Sequence, residues 1–445
     1  MKKNVLLYAL IALSVVFLNC PIDYYSYDPF FQTYFGFDSE RDFIYKKMKT
    51  AYYWKDKVPN TDIALYNSNQ SLLDDLMYKE YDKWSFLLTL EEYEQYYQNN
   101  EYVGYGILFK WADEAQTDYR IGYVMDNSPA LDAGLSRGDK ILKINDKSME
   151  YILQNNLWET VSNEIYNESS INLQIYSVFN DATRDVSMTK RVINIKSVHI
   201  STIINNNAKK IGYIVYNEFN ASQYDYTYSS ELAVAFKYFK ENNVDELVVD
   251  LRYNGGGRVD VCHYFANLIS KESMLGKKFI EMKYNDDYTS YNSTLNFSFN
   301  NYYLNLTRVF FITTDNTASA SEALINGLKP HMEVKIIGGK THGKPVGMNG
   351  YQFEDIILYP ITFEIINSLG EGRYFNGIES DVAVEDDLTK QFGDISEKCL
   401  SEAIYYINNG AFSISSRGVR SVEIQTKNSA NNIPFKGIQN LVNRF

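Results

Sequence analysis

A chain of 445 residues exceeds the usual size of one domain, so two or three compact units with their own cores are expected. With 45% hydrophobic residues, 22% charged residues and 8 prolines, the composition is globular and excludes general disorder. A net charge of −13 without any Lys/Arg block excludes nucleic acid as the main partner, and three cysteines (Cys20, Cys262, Cys399) are too few for a disulfide framework.

The chain opens Met1-Lys2-Lys3, followed by an apolar run over 5–18 and then Asn19-Cys20. That run is shorter than the roughly 20 residues a membrane helix needs, so the segment reads as a signal peptide (1–20). A cysteine ending the run resembles a bacterial lipoprotein leader, which makes Cys20 the expected lipid anchor and the cell envelope the expected location of an exported protein. A cleaved secreted form and an uncleaved anchor are the alternatives. Residues 21–38 read as a tether. Phe43, Met48, Ala51 and Tyr52, then Leu72, Leu73, Leu76, Met77 and Tyr81, have helical spacing and predict a small helical cap over 39–97.

From 98 to 178 the pattern changes to short strands punctuated by glycine. The run SPALDAGLSRGDKILKIND (128–146) places a helix stopped by glycine, a Gly-Asp turn and a strand within twenty residues. With GYGI at 104–107 it resembles a PDZ domain. The resemblance implies that Gly104, Tyr105, Gly106 and Ile107 form a loop whose N–H groups hold a peptide's terminal carboxylate, while the adjoining strand edge adds the peptide as a further strand.

Beyond 178 strands and helices alternate: a strand over 210–219, helical spacing over 229–242 and an apolar strand over 246–251. A helix over 259–269, a Tyr- and Asn-rich excursion over 284–303, a strand over 308–313, a helix over 320–328 and a strand over 334–337 follow. This predicts an α/β core (179–410) within a multidomain α/β (α+β) chain, with a C-terminal extension over 411–445.

Two core strands end in loops that carry chemistry. DLRYNGGG (250–257) has three consecutive glycines, tolerated where the chain turns sharply or presents bare N–H groups. It lacks the Lys-Ser/Thr pair of a phosphate loop. TASASE (317–322) lies between a strand and a helix, where a serine hydroxyl has a helix N-terminus behind it; by itself this is an ordinary N-cap. The third element is GKTHGKPVG (339–347).

In that order, the three motifs resemble the C-terminal (tail-specific) processing peptidases, a serine–lysine family, as does the later YFNGIESDV (374–382). The family's lysine follows its nucleophile by twenty-five residues, which selects Ser319 and Lys344 rather than Ser321 or Lys340. The resemblance implies a serine endopeptidase acting through an acyl-enzyme, with Lys344 as general base. The oxyanion donors it implies are the N–H groups of Ala320 and of a glycine among Gly255–Gly257, with Gly256 favoured and Gly257 beside it. The substrates implied are polypeptides, unfolded or with exposed C-termini, and no cofactor is required. Family members commonly carry a glutamine where this chain has Met348, and Asn349 is the adjacent polar residue. A histidine-based triad among His199, His263, His331 and His342 is the enzymatic alternative, and a catalytically silent peptide-binding scaffold is the non-enzymatic one. No paired Cys/His spacing suggests a metal site.

Overall fold

The computed structural model describes residues 31–413 apart from 114, 223, 224 and 226. The leader with Cys20, the first part of the tether and most of the C-terminal extension lie outside the described residues. Among the described residues no helix is long and apolar enough to cross a membrane.

The cap combines helices and strands. Helices α1 (Glu40–Thr50) and α2 (Asn69–Leu76), capped by the Ser39 and Ser68 hydroxyls, bury Phe43, Ile44, Met48, Leu72, Leu73 and Leu76. Strands β1 (Phe31–Thr33) and β2 (Phe86–Thr89) flank a hairpin from far along the chain, Gly350–Phe353 and Ile356–Tyr359. The helices therefore share a core with Val346, Tyr351, Phe353 and Leu358 instead of forming a separate helical unit.

The middle module is a sheet ordered β3 (Ile107–Trp111), β4 (Tyr119–Val124), β5 (Lys140–Ile144), β6 (Ser170–Ser177) and β7 (Ala182–Thr189), so it continues past residue 178. Helix α3 (Trp158–Asn167) buries Val161 and Ile165 against it. Strand β3 is at the sheet edge. The Tyr105 hydroxyl donates to Glu168 O (2.8 Å) just past the end of α3, and the Trp111 and Trp158 rings meet at 5.1 Å near its start. Helix and edge strand therefore run antiparallel, side by side.

The core sheet is ordered as in the sequence: β8 (Val198–Asn206), β9 (Lys209–Tyr216), β10 (Glu246–Asp250), β11 (Arg308–Thr313), β12 (Glu333–Gly338) and β13 (Val382–Ala383), parallel from β9 onward. Side chains alternate across it. Tyr216, Leu247, Val249, Val309 and Phe311 face helices α4 (Ser230–Glu241), α5 (Val259–Ile269) and α6 (Ala320–Leu328). Tyr213, Val215, Val248, Phe310 and Ile312 face α7 (Lys398–Asn409). Successive crossovers of one hand in a sequentially ordered sheet place the connecting helices on one side. The Asp250↔Ile312 register sets the loops leaving β10 and β11 side by side.

A buried ionic network joins the middle module to the core. The Arg137 guanidinium, in the Arg-Gly-Asp turn, donates to Gly122 O and Tyr253 Oη (both 2.7 Å) and pairs with Asp386. Arg252 pairs with Asp250 (2.6 Å), Asp386 (2.7 Å) and Glu397 (2.8 Å), and Lys110 stands 3.6 Å from Asp386. Three cations and three carboxylates balance, as burial demands. Arg252 and Tyr253 belong to the glycine-loop segment, so the network fixes the module to the loop that leads to the site.

Candidate active site

The serine loop is held from below by the glycine loop. Thr317 Oγ1 donates to Leu251 O (2.7 Å), and Thr314 Oγ1 donates to Arg252 O. Asn254, fully buried, is the hub: its amide donates to Tyr216 O (2.9 Å), its carbonyl receives Ala318 N–H (3.0 Å) and the Ser321 hydroxyl (3.1 Å), and its Oδ1 receives Gly256 N–H (2.8 Å). Ser321 is thereby buried and committed, whereas Ser319 sits at the strand-to-helix turn with φ 56°. A left-handed φ is uncommon for a serine and marks a sharp turn that holds the residue ahead of the helix. A Cβ added at Gly256 (φ 110°) would lie 2.7 Å from Ser319 Cβ and 3.0 Å from Ala320 N, so only glycine lets the loop approach this closely.

The structure brings Ser319 and Ala320 against Gly256, and Gly257 is the next residue of the loop. The Gly256 N–H is already engaged by Asn254 Oδ1. Those of Gly257 and Ala320 donate to no described residue, and Ala320 opens helix α6, whose dipole favours negative charge there.

Glu322, in the first turn of α6, ties the third motif to the serine. Its buried carboxylate accepts Ser319 N–H (2.9 Å) and Lys344 N–H (2.8 Å) on Oε2, and Gly343 N–H (2.7 Å) and the Thr341 hydroxyl (2.5 Å) on Oε1. Burial pushes this carboxyl up to about 7, against the pull of its four donors. Thr341 Oγ1 also receives Ile378 N–H (2.7 Å), which anchors the 374–378 run behind the lysine.

The Lys344 side chain is 1% exposed, and its ammonium lies 5.9 Å from the Trp84 ring centroid. Desolvation lowers its pKa to about 7, with Asp82 and Glu322 opposing through space. Asp82 is itself occupied by Tyr52 Oη (2.7 Å), Ser85 Oγ (2.6 Å) and the N–H groups of Trp84 and Ser85. The Trp84 indole N–H donates to His342 Nε2 (3.2 Å), and burial together with the Lys344 charge lowers the His342 pKa. Its Nε2 is thus taken up by an indole. His199, His263 and His331 each stand by other partners: Asp126, the Asn296 carbonyl and the Lys278 carbonyl. The Asn349 side-chain Oδ1 receives the Thr362 hydroxyl (2.6 Å), and Met348 packs among the apolar residues of the cap. Among the described residues no group of three or more His, Cys, Asp or Glu side chains could hold a metal ion.

Sequence reasoning did not assign roles to Asn254, Glu322, Asp82 or Trp84. The one local signal that points to Glu322 is a capping-box pattern, an acid three residues after Ser319.

The sequential sheet, parallel from β9 onward, with a serine at a strand-to-helix turn beside a glycine loop, defines an α/β protein. Residues 210–384 match the model for peptidase family S41, and residues 39–86 match the peptidase S41 N-terminal domain. The chain belongs to peptidase family S41. It is 25% identical over 346 residues to a Staphylococcus aureus protein named "Probable CtpA-like serine protease", covering 77% of this chain and 64% of that protein; the chain thus spans under two thirds of this relative's length. An S41 protease structure from Bacteroides fragilis superposes with a TM-score of 0.68 at 27% identity, over 83% of this chain and 97% of that one. The photosystem II D1 C-terminal processing protease shares the fold, with a TM-score of 0.50 at 19% identity over 81% of this chain and 95% of that one.

Proposed function

We propose that the chain is a serine endopeptidase in which Ser319 attacks the scissile carbonyl and Lys344 is the general base. The observation that carries this reading is the environment of Lys344: its ammonium is buried beside Trp84 with a pKa near 7, and its main chain shares one carboxylate oxygen with that of Ser319. A lysine can take a proton only when neutral, and desolvation makes the neutral form accessible. Lys344 takes the Ser319 proton, the tetrahedral oxyanion is held by the N–H groups of Ala320 and Gly257, and Lys344 returns the proton to the leaving amine. Water then cleaves the acyl-enzyme. Gly256 serves by its lack of a side chain, since its own N–H is engaged.

The substrates are unfolded or C-terminally exposed segments of exported proteins, presented by the middle module in the manner of a PDZ domain. Three features support presentation: the open edge of β3, the antiparallel helix α3 beside it, and the N–H groups of Tyr105 and Gly106, which donate to no described residue. Gly106 (φ 76°) packs so tightly on Ser128 that a side chain there would collide with it. Lipidation at Cys20 would hold the enzyme at the cell envelope.

The test is peptide cleavage by the wild type and by Ser319→Ala, Lys344→Ala and Lys344→Arg. All three variants should lose cleavage by at least a thousandfold or so while keeping the wild-type melting profile, because the pair acts as one unit. Cleavage within tenfold of wild type in any of them contradicts the assignment. An inactive wild type able to bind peptide supports the silent scaffold instead.

A further inference from the structure

We propose that Lys190 supplies the counter-charge for the substrate's terminal carboxylate, an inference that rests on the carboxylate-reading role proposed for the 104–107 loop. Lys190 follows β7 and folds back over that loop: its ammonium lies 5.3 Å from the Tyr105 ring centroid and 5.7 Å from that of Tyr166, and donates to Tyr166 O in the last turn of α3. The side chain is half-buried, and desolvation lowers its pKa while Glu168 opposes this through space. Among the described residues no carboxylate comes within ion-pair distance of it, although most other half-buried lysines around the module, Lys110 and Lys147 among them, are paired. Its hydrogen bond to the Tyr166 carbonyl is exposed to solvent, so an incoming anion can reach the ammonium.

The geometry says where that anion would sit. Antiparallel α3 and β3 make a groove whose one end, at Trp111 and Trp158, is closed by aromatic rings. The other end, at Tyr105 and Glu168, holds the ammonium and the two N–H groups that donate to no described residue. A strand added along β3 has its main chain satisfied by the sheet edge, so the one charge it brings to that end is its terminus. One ammonium hydrogen is spent on the Tyr166 carbonyl, where a cation also suits the helix C-terminus, and two remain for the carboxylate. Tyr102, whose ring lies against Gly104, Tyr105 and Tyr166, which cradle the ammonium, and Lys190 then form a site selective for a free C-terminus.

The experiment compares one apolar-ended peptide as its free acid and as its amide. Binding is measured on the full chain carrying Ser319→Ala, with Lys190 intact or changed to Met or Arg. With Lys190 intact the free acid should bind at least about tenfold tighter than the amide, since charge-assisted hydrogen bonds are about twice as strong as neutral ones. Lys190→Met should cut that ratio to about twofold through weaker free-acid binding, and Lys190→Arg should restore most of it. A ratio unchanged in Lys190→Met overturns the assignment to Lys190 while leaving the loop as the carboxylate reader. Equal losses on both peptides show a structural role and overturn it too. No preference with Lys190 intact shows instead that the loop does not read the carboxylate, and the inference falls with that reading.

Discussion

Ser319 and Lys344, twenty-five residues apart in the chain, donate their main-chain N–H groups to the same oxygen, Oε2 of Glu322, at 2.9 and 2.8 Å. The distance between the two segments is therefore set by one buried carboxylate in the first turn of α6. Any change at that carboxylate is transmitted to both.

Glu322→Gln tests this directly. Each carboxylate oxygen accepts two donors, so an amide must turn its NH2 toward one of those pairs and leave at least one buried main-chain N–H without an acceptor. Unfolding free energy should fall by about 2–4 kcal/mol and kcat by about a hundredfold or more, with KM changed little. Chemical denaturation and steady-state kinetics on one preparation check it; wild-type kcat would show that the carboxylate does not position the pair.

The pH dependence follows from burial at Lys344. Its pKa is lowered to about 7, so the base form grows as pH rises, and the limiting rate of the chemical step should climb through about pH 7 and level off above. Glu322 titrates in the same range, so the apparent pKa belongs to the pair. Single-turnover acylation from pH 5 to 9 checks this. A flat profile removes lysine as the base.

Gly256→Ala places a methyl group 2.7 Å from Ser319 Cβ on a residue with φ 110°. The loop must move away from the serine, and with it Gly257. Acylation should slow by about a hundredfold or more, a larger effect than the change in thermal stability, and retention of wild-type acylation would show that the loop does not need this approach.

The Arg137–Asp386–Arg252 network makes acid the weak point of the joint between module and core. Arg137 and Arg252 hold the Asp386 carboxyl far below the usual carboxylate range. A depressed carboxylate contributes stability above its unfolded pKa, about 4, and loses it progressively as pH falls below that value. Wild type should therefore lose stability steeply below pH 4. Asp386→Asn should be less stable at neutral pH by about 3–5 kcal/mol and less sensitive to acid. Parallel acid titrations of the two proteins, followed by tryptophan fluorescence, make the comparison; identical slopes would place the acid sensitivity elsewhere.

Much of the core was readable because its signals are local. The helix over 259–269, the strand over 308–313 and the helix over 320–328 lie where periodicity and turn residues put them. Helix α7 was not read, although Leu400, Ala403, Ile404 and Ile407 have helical spacing and Gly410 stops it in the left-handed region. The mixed character of the cap was hidden for a physical reason. β1 and β2 are short strands paired with residues more than 250 positions away, and pairing at that separation leaves no local pattern. The site divides the same way. Ser319 and Lys344 are the residues that motif order proposes, whereas Glu322, Asn254 and Trp84 make contacts between segments that only the folded chain brings together.

The most direct measurement is mass-spectrometric mapping of the residue phosphonylated by a serine-directed phosphonate probe. A single adduct on Ser319, absent in Ser319→Ala, strongly reduced in Lys344→Ala and retained in Ser321→Ala, is the expected result. An adduct on Ser321, or none on a well-folded wild-type protein, would contradict it.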